Sequence, residues 1–185
     1  RIAHLIHDLG IHPGSILAIT FTNKAANEMK ERLDRMLSSY AAGVHISTIH
    51  SLCVMILRHD CTSMDLPRNF TVLDSDDQKS IIKEAYREIG LDKQKYSIPS
   101  MLDYISANKG AEVTVDHAFT LAGGHYGEQE KAKVYQYYVE RQKALFALDF
   151  DDLLLVTVKR FGMFPDILAK WQRRFNFIHV DEFQD

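Results

Sequence analysis

The sequence ends on a short apolar run, Phe177-Ile178-His179-Val180, followed at once by two carboxylates, Asp181 and Glu182, and then by Phe183, Gln184 and Asp185. An apolar run of this length reads as a strand buried in a parallel sheet. The carboxyl edge of such a sheet is where α/β proteins bind ligands. A carboxylate placed there can hold Mg²⁺, a hard cation that keeps several of its waters. A second carboxylate beside it can orient and deprotonate an attacking water. The pattern also has a plainer reading, a solvated acidic turn after a strand, and taken by itself does not exclude it.

A second group of residues stands at the end of another apolar run. Ile16-Leu17-Ala18-Ile19-Thr20-Phe21 reads as a buried strand, and Thr22 can cap the helix after it. In that helix Ala25, Ala26, Met29, Leu33, Met36 and Leu37 form one apolar face. The Phe21 ring, at a strand's carboxyl end, either faces the ligand edge, where it can stack on a base without sequence preference, or belongs to the core. Lys24 is either a solvated first-turn residue or a phosphate ligand. Val44 to Thr48 is a further strand, with a helix from Ile49 to about Arg58, and His50 in its first turn either caps that helix or meets a ligand. Asp149, Asp151 and Asp152 suit a helix N-terminus, where carboxylates complement the dipole, or else a direct nucleic-acid or coupling role. Tyr135, Tyr137 and Tyr138 are packing residues or an aromatic face.

These residues need a scaffold, and the pattern supplies one. Residues 1–10 read as the tail of a helix stopped by Gly10. Phe70 to Leu73 is a third strand, and Ser75 with Gln78 makes a capping box for a helix that carries Ile81, Ile82, Ala85 and Ile89 inward. The alternation of strand and helix argues for an α/β parallel sheet. From Gln78 to Leu145 there is no convincing strand. A helix at Ser100 to Asn108, a break at Gly123 to Gly127 and a long helix from about Glu128 to Leu148 read as a helical insertion. Helices at 151–161 and 165–175 then lead to the last strand. The 185 residues are enough for a real core without staples. The net charge of -3 gives no global basic footprint, so any nucleic-acid contact has to come from local geometry. Cys53 and Cys61 have no metal-ligand spacing and read as free thiols of a reducing compartment. No apolar run reaches the ~20 residues of a membrane span, and the expected address is cytoplasmic.

Five segments, in order, resemble one family. Thr20-Phe21-Thr22-Asn23-Lys24-Ala25-Ala26, Ser47-Thr48-Ile49-His50-Ser51-Leu52-Cys53, Leu73-Asp74-Ser75-Asp76-Asp77-Gln78, Leu148-Asp149-Phe150-Asp151-Asp152-Leu153 and Asp181-Glu182-Phe183-Gln184-Asp185 are similar to motifs of UvrD/Rep/PcrA-type superfamily-1 ATP-dependent DNA helicases. The last of them resembles the D-E-x-Q-D form of the Walker B motif. The resemblance implies that Asp181 binds Mg²⁺ and contributes to the nucleotide site, that Glu182 activates the hydrolytic water, and that Gln184 senses the nucleotide. It implies that Phe21, Thr22 and Asn23 line a single-strand track, and that Thr48 and His50 contact the nucleic acid. Asp185 would make interdomain contacts. His179 stands where the family strand is usually aliphatic and is expected to be a neighbour of the strand end rather than a catalyst.

The implied architecture is a RecA-like parallel-sheet motor domain over residues 1–77 and 146–185, interrupted by an all-helical subdomain over 78–145. The implied partners are ATP with Mg²⁺, single-stranded and duplex DNA, and repair or replication proteins. No G-x-x-x-x-G-K-[ST] phosphate loop occurs in the sequence, so the expectation is a fragment that holds nucleotide poorly and does not hydrolyse ATP alone. In the family fold the strand at 177–180 lies mid-sheet. It is expected here to pair with the strand entering Phe21 and to leave its other edge open. Two other readings stay open: the motor part of a helicase–nuclease subunit, and a non-catalytic DNA-binding module with the same fold.

Overall fold

The computed structural model describes residues 1–60, 67–92 and 95–183, and at residues 39 and 40 the backbone alone. The chain forms two compact units, Arg1–Asp60 with Thr157–Asp185, and Cys61–Val156. Among the described residues no helix is long and apolar enough to cross a membrane.

The first unit is built on a three-stranded parallel sheet. Its strands are β1 (Ile16–Thr20), β2 (His45–Thr48) and β5 (Phe177–Val180), in the order β2-β1-β5. β1 is the middle strand and is apolar on both faces. Ile16 and Ala18 pack with Ile6 of α1 (Ile2–His7) and with Ala26, Leu33 and Leu37 of α2 (Asn23–Leu37). Leu17 and Ile19 point the other way, to Leu52 and Ile56 of α3 (Ile49–His59) and to Trp171 of α9 (Pro165–Arg174). Strand alternation thus makes a helix–sheet–helix sandwich. The far end of α3 is pinned to α9 through Asp60, whose carboxylate accepts from Trp171 Nε1 (2.7 Å) and also from Lys170 Nζ.

β5 pairs with β1, as expected, and the pairing is parallel, with Ile16 opposite Phe177 and Ile19 opposite Val180. Among the described residues no strand pairs with its other edge. Ile178 and Val180 are 59% and 46% exposed, although both are strand-forming apolar residues. An open cleft of about 750 Å³ follows this edge, lined by Ile2, Met29, Leu33, Ile178, Val180 and Phe183 among others.

The second unit is helical, with α4 (Ser75–Ile89), α5 (Ile98–Gly110), α6 (Val115–Ala122) and α7 (Tyr126–Ala144) around a core that includes Ile82, Tyr86, Met101, Val134 and Tyr138. It is wider than the 78–145 stretch expected to be inserted. The reason is that β3 (Thr71–Val72) does not join the main sheet. It pairs in parallel with β4 (Ala147–Leu148), Thr71 N–H donating to the Phe146 carbonyl (3.0 Å) and Leu73 N–H to that of Leu148 (2.9 Å). The long helix correspondingly ends at Ala144 rather than Leu148. The capping box of α4 sits one residue earlier than expected. Asp74 is the cap, accepting from the Asp76 and Asp77 N–H groups, and the Asp77 carboxylate accepts from the Asp74 N–H. Asp74 does with a carboxylate what the Ser75 hydroxyl would do with a neutral acceptor.

α8 (Phe150–Met163) starts in this unit, and its first turn is held by a buried ionic cluster. Asp149 and Asp152 cap it reciprocally: Asp152 N–H donates to Asp149 Oδ1 (3.0 Å) and Asp149 N–H to Asp152 Oδ2 (3.2 Å). The capping role read from the sequence is therefore realised. Lys109 of α5 adds what the sequence does not show. The residue is 7% exposed, and its ammonium donates to Asp149 Oδ2 (2.6 Å), Asp152 Oδ2 (2.7 Å) and Gln142 Oε1 (2.9 Å). Tyr138 O–H donates to Asp149 (2.9 Å), and burial with the adjacent carboxylate pushes its pKa far up, so it stays a donor. Burial opposes the charge on Asp149, but the Lys109 charge and these hydrogen bonds outweigh it and hold the carboxyl below its ordinary value. Burial and the Asp149 charge push Asp152 up. The share of stability carried by Asp149 is thus present above the ordinary carboxylate range and lost as pH falls below it through the lowered folded value, whereas that of Asp152 is present below the ordinary range and lost as pH rises through its raised value.

Two expectations follow from this architecture. Lys109→Met leaves two buried carboxylates without their cation and should cost about 3–5 kcal/mol in urea unfolding at neutral pH. A loss under about 1 kcal/mol, the scale of an exposed pair, would show the cluster to be solvated. In hydrogen exchange on the 185-residue chain, the amides of 177–180 should exchange faster as a group than those of 16–20, because β1 is covered on both edges and β5 on one. Equal protection in a strictly monomeric sample would contradict the open edge.

Candidate nucleic-acid and nucleotide edge

Parallel pairing puts the carboxyl ends of all three strands of the first unit on one edge. Thr20 of β1 lies opposite Thr48 of β2, and Ile19 opposite Val180 of β5. Each strand then delivers one of the segments singled out in the sequence: Phe21 to Asn23 after β1, Ile49 and His50 after β2, Asp181 and Glu182 after β5. The register continues for one more bond past Val180, as Asp181 N–H donates to the Ile19 carbonyl (2.9 Å).

The exit from β1 is built from two hydroxyls and one ring. Thr20 is buried, and its Oγ1 donates to the Thr22 carbonyl (2.9 Å), tightening the turn. Thr22 caps α2, its hydroxyl accepting from the Ala25 N–H (3.1 Å). Between them Phe21 is 67% exposed, so it is not a core residue. Asn23 is the first residue of α2 and is exposed. Lys24 is exposed and lies 3.9 Å from Glu28 one turn on, the geometry of a solvated helix pair.

Thr48 has a structural role at the end of β2. It is 7% exposed, and its hydroxyl is the cap of α3, accepting from the Ser51 N–H (3.2 Å) and donating to Ser51 Oγ (3.0 Å). With that hydroxyl engaged inside the fold, the helix cap is Thr48, not His50. His50 is a half-buried first-turn residue of α3.

Asp181 and Glu182 are both exposed at the end of β5. Glu182 has φ 51°, in the left-handed region that non-glycine residues seldom adopt. Holding it there costs of order 1 kcal/mol, and strain of this kind collects at functional sites. Among the described residues no three His, Cys, Asp or Glu side chains converge as a metal cage. Mg²⁺ is commonly held by one or two carboxylates together with waters and substrate oxygens, and an exposed Asp-Glu pair on a strand end fits that donor set. His179, opposite Ala18, has its Nε2 buried with no hydrogen-bond partner among the described residues, and burial lowers its pKa, so it is a neutral strand residue. Gln184 and Asp185, like Cys61, lie outside the described residues. Cys53 is buried, and burial raises its thiol pKa, which makes it a packing residue rather than a nucleophile.

The family model described as the UvrD/REP helicase N-terminal domain matches residues 1–185. The chain is 45% identical over 185 residues to the ATP-dependent DNA helicase PcrA of Bacillus subtilis (strain 168), a match that covers all of this chain and 25% of that protein. It is 40% identical to the ATP-dependent DNA helicase PcrA of Leuconostoc citreum, and 40% to that of Staphylococcus aureus (strain Mu50 / ATCC 700699), again over the whole chain and 25% of each relative. The chain thus spans about a quarter of the length of the curated relatives it matches.

Proposed function

This chain belongs to the UvrD/REP helicase N-terminal domain family, and from that premise we propose that the full-length protein is an ATP-dependent DNA helicase that moves along single-stranded DNA and separates duplex at the expense of ATP. The observation that carries the reading is the shared strand edge, where an exposed aromatic ring and an exposed Asp-Glu pair leave adjacent strands of one sheet. The names of its relatives point the same way. We place the protein in the cytoplasm, in DNA repair or replication.

In this reading Phe21 stacks on an unpaired base, with Thr22 and Asn23 beside it. Thr48 acts from behind by setting the first turn of α3, on which His50 meets the strand. Asp181 holds Mg²⁺ that comes with ATP. That ion, when bound, supplies charge neutralisation at the phosphates. Glu182, in its strained backbone, orients the attacking water and takes its proton. Gln184 keeps the nucleotide-sensing role of its motif position. The sequence holds no G-x-x-x-x-G-K-[ST] motif, so tight nucleotide binding and turnover belong to the full-length protein. A module that bound DNA without chemistry would have no use for an exposed acidic pair held at this edge.

Two measurements on the full-length protein test these roles separately. Phe21→Ala should weaken binding to single-stranded DNA by about 1–3 kcal/mol, the worth of one base–aromatic stack. Unchanged affinity would leave the exposed ring without a role in DNA binding. Glu182→Gln is close to isosteric and should keep nucleotide affinity while abolishing steady-state turnover. A near-normal rate would show that Glu182 is not the base.

A further inference from the structure

In the helical unit an exposed aromatic ring is held in strained backbone. α7 hands over to β4 through Leu145 and Phe146, and Phe146 has φ 47°. Four non-glycine residues among those described have φ in the left-handed region, Ser38, Glu112, Phe146 and Glu182, and Phe146 is the aromatic one. A Cβ in that region crowds the next carbonyl oxygen, and glycine or asparagine meets the same turn at lower cost. The conformation is fixed from both sides: Phe146 N–H donates to the Lys143 carbonyl (3.1 Å), and the Phe146 carbonyl accepts from the Thr71 N–H (3.0 Å). Burial does not offset the strain, because Phe146 is 54% exposed and Leu145 beside it 42%. Folding alone gives no reason for a phenylalanine here.

The two chain segments hydrogen-bonded at this point each bring an exposed cation. Lys143 is in the last turn of α7, and Arg68 lies in the turn closed by the Phe70 N–H to the Pro67 carbonyl (3.0 Å), just before Thr71. A ring with flanking cations matches a chain of stackable bases joined by phosphates. A protein-docking surface is instead depleted of lysine at its centre.

We propose that Phe146 is a base-stacking platform of the helical unit, with Lys143 and Arg68 as phosphate contacts, and that it takes unpaired nucleotides of single-stranded DNA. It rests on the reading that the full-length protein works on single-stranded DNA, but uses residues of the other compact unit. The substitution that tests it separates structure from binding. Phe146→Asn removes the ring and relieves the backbone, so in the full-length protein it should raise the melting temperature while weakening binding of a fluorescent oligothymidylate at least about fivefold, the low end for one lost stack. Phe146→Trp should keep affinity within about twofold. Arg68→Gln and Lys143→Gln should each flatten the dependence of affinity on salt, as loss of a phosphate contact does. Phe21→Ala is measured alongside. If Phe21→Ala weakens binding and Phe146→Asn does not, the platform is overturned and the strand-edge reading stands. If neither weakens binding, both fall. A lowered melting temperature for Phe146→Asn would mark the ring as structural and overturn the proposal as well.

Discussion

β1 must bury both of its faces, and the geometry of the first unit follows from how it does so. Ile16 and Ala18 meet α1 and α2, and Leu17 and Ile19 meet α3 and α9. A strand covered on both faces by helices is a parallel-sheet strand, and parallel neighbours end on the same side. The ring of Phe21, the first turn of α3 and the Asp181-Glu182 pair are therefore brought to one edge by the burial of residues that take no part in chemistry. The hydroxyls of Thr20, Thr22 and Thr48 finish the work locally, each satisfying a backbone or helix-end group so that the turns leaving the strands are fixed.

The helical unit solves a different problem. Its core is apolar, but the start of α8 is set by charge: Lys109 between Asp149 and Asp152, with Gln142 and Tyr138 closing the network. Buried charges are tolerated when every partner is present, and removing one is costly. The arrangement ties α5, α7 and the first turn of α8 to each other through one buried hydrogen-bonded network. That first turn also carries the reciprocal cap, so the same two carboxylates satisfy helix-end donors and the lysine at once.

Legibility from the sequence followed the length scale of each feature. The main strands and most helices could be read because apolar residues repeat with the periods of 2 and 3.6, and the ends of β1, β2 and β5 could be marked because the segments after them form recognisable motifs. β4 is not legible, since two residues carry no period, and an apolar run such as Phe70 to Leu73 does not say that its strand will pair with β4 rather than join the main sheet. The α4 cap was placed on Ser75 because serine and aspartate cap equally well and stand side by side. Nothing in a sequence shows that the Thr48 hydroxyl is engaged by Ser51. Lys109 was invisible for a related reason: its partners lie far along the chain, and a lone lysine in a helix ordinarily reads as solvated. Phe146 likewise reads as an ordinary apolar residue until its φ and exposure are known.

The central claim is that single-stranded DNA runs across the carboxyl edge of the sheet in the first unit, against Phe21. Photocrosslinking tests it most directly: the full-length protein is bound to an oligonucleotide carrying halogenated uracils, irradiated and digested, and the crosslinked peptides are sequenced. The account predicts a crosslink within Thr20 to Lys24, carried by Phe21. Efficient crosslinking confined to other parts of the protein, with Phe21 recovered unmodified, would contradict it.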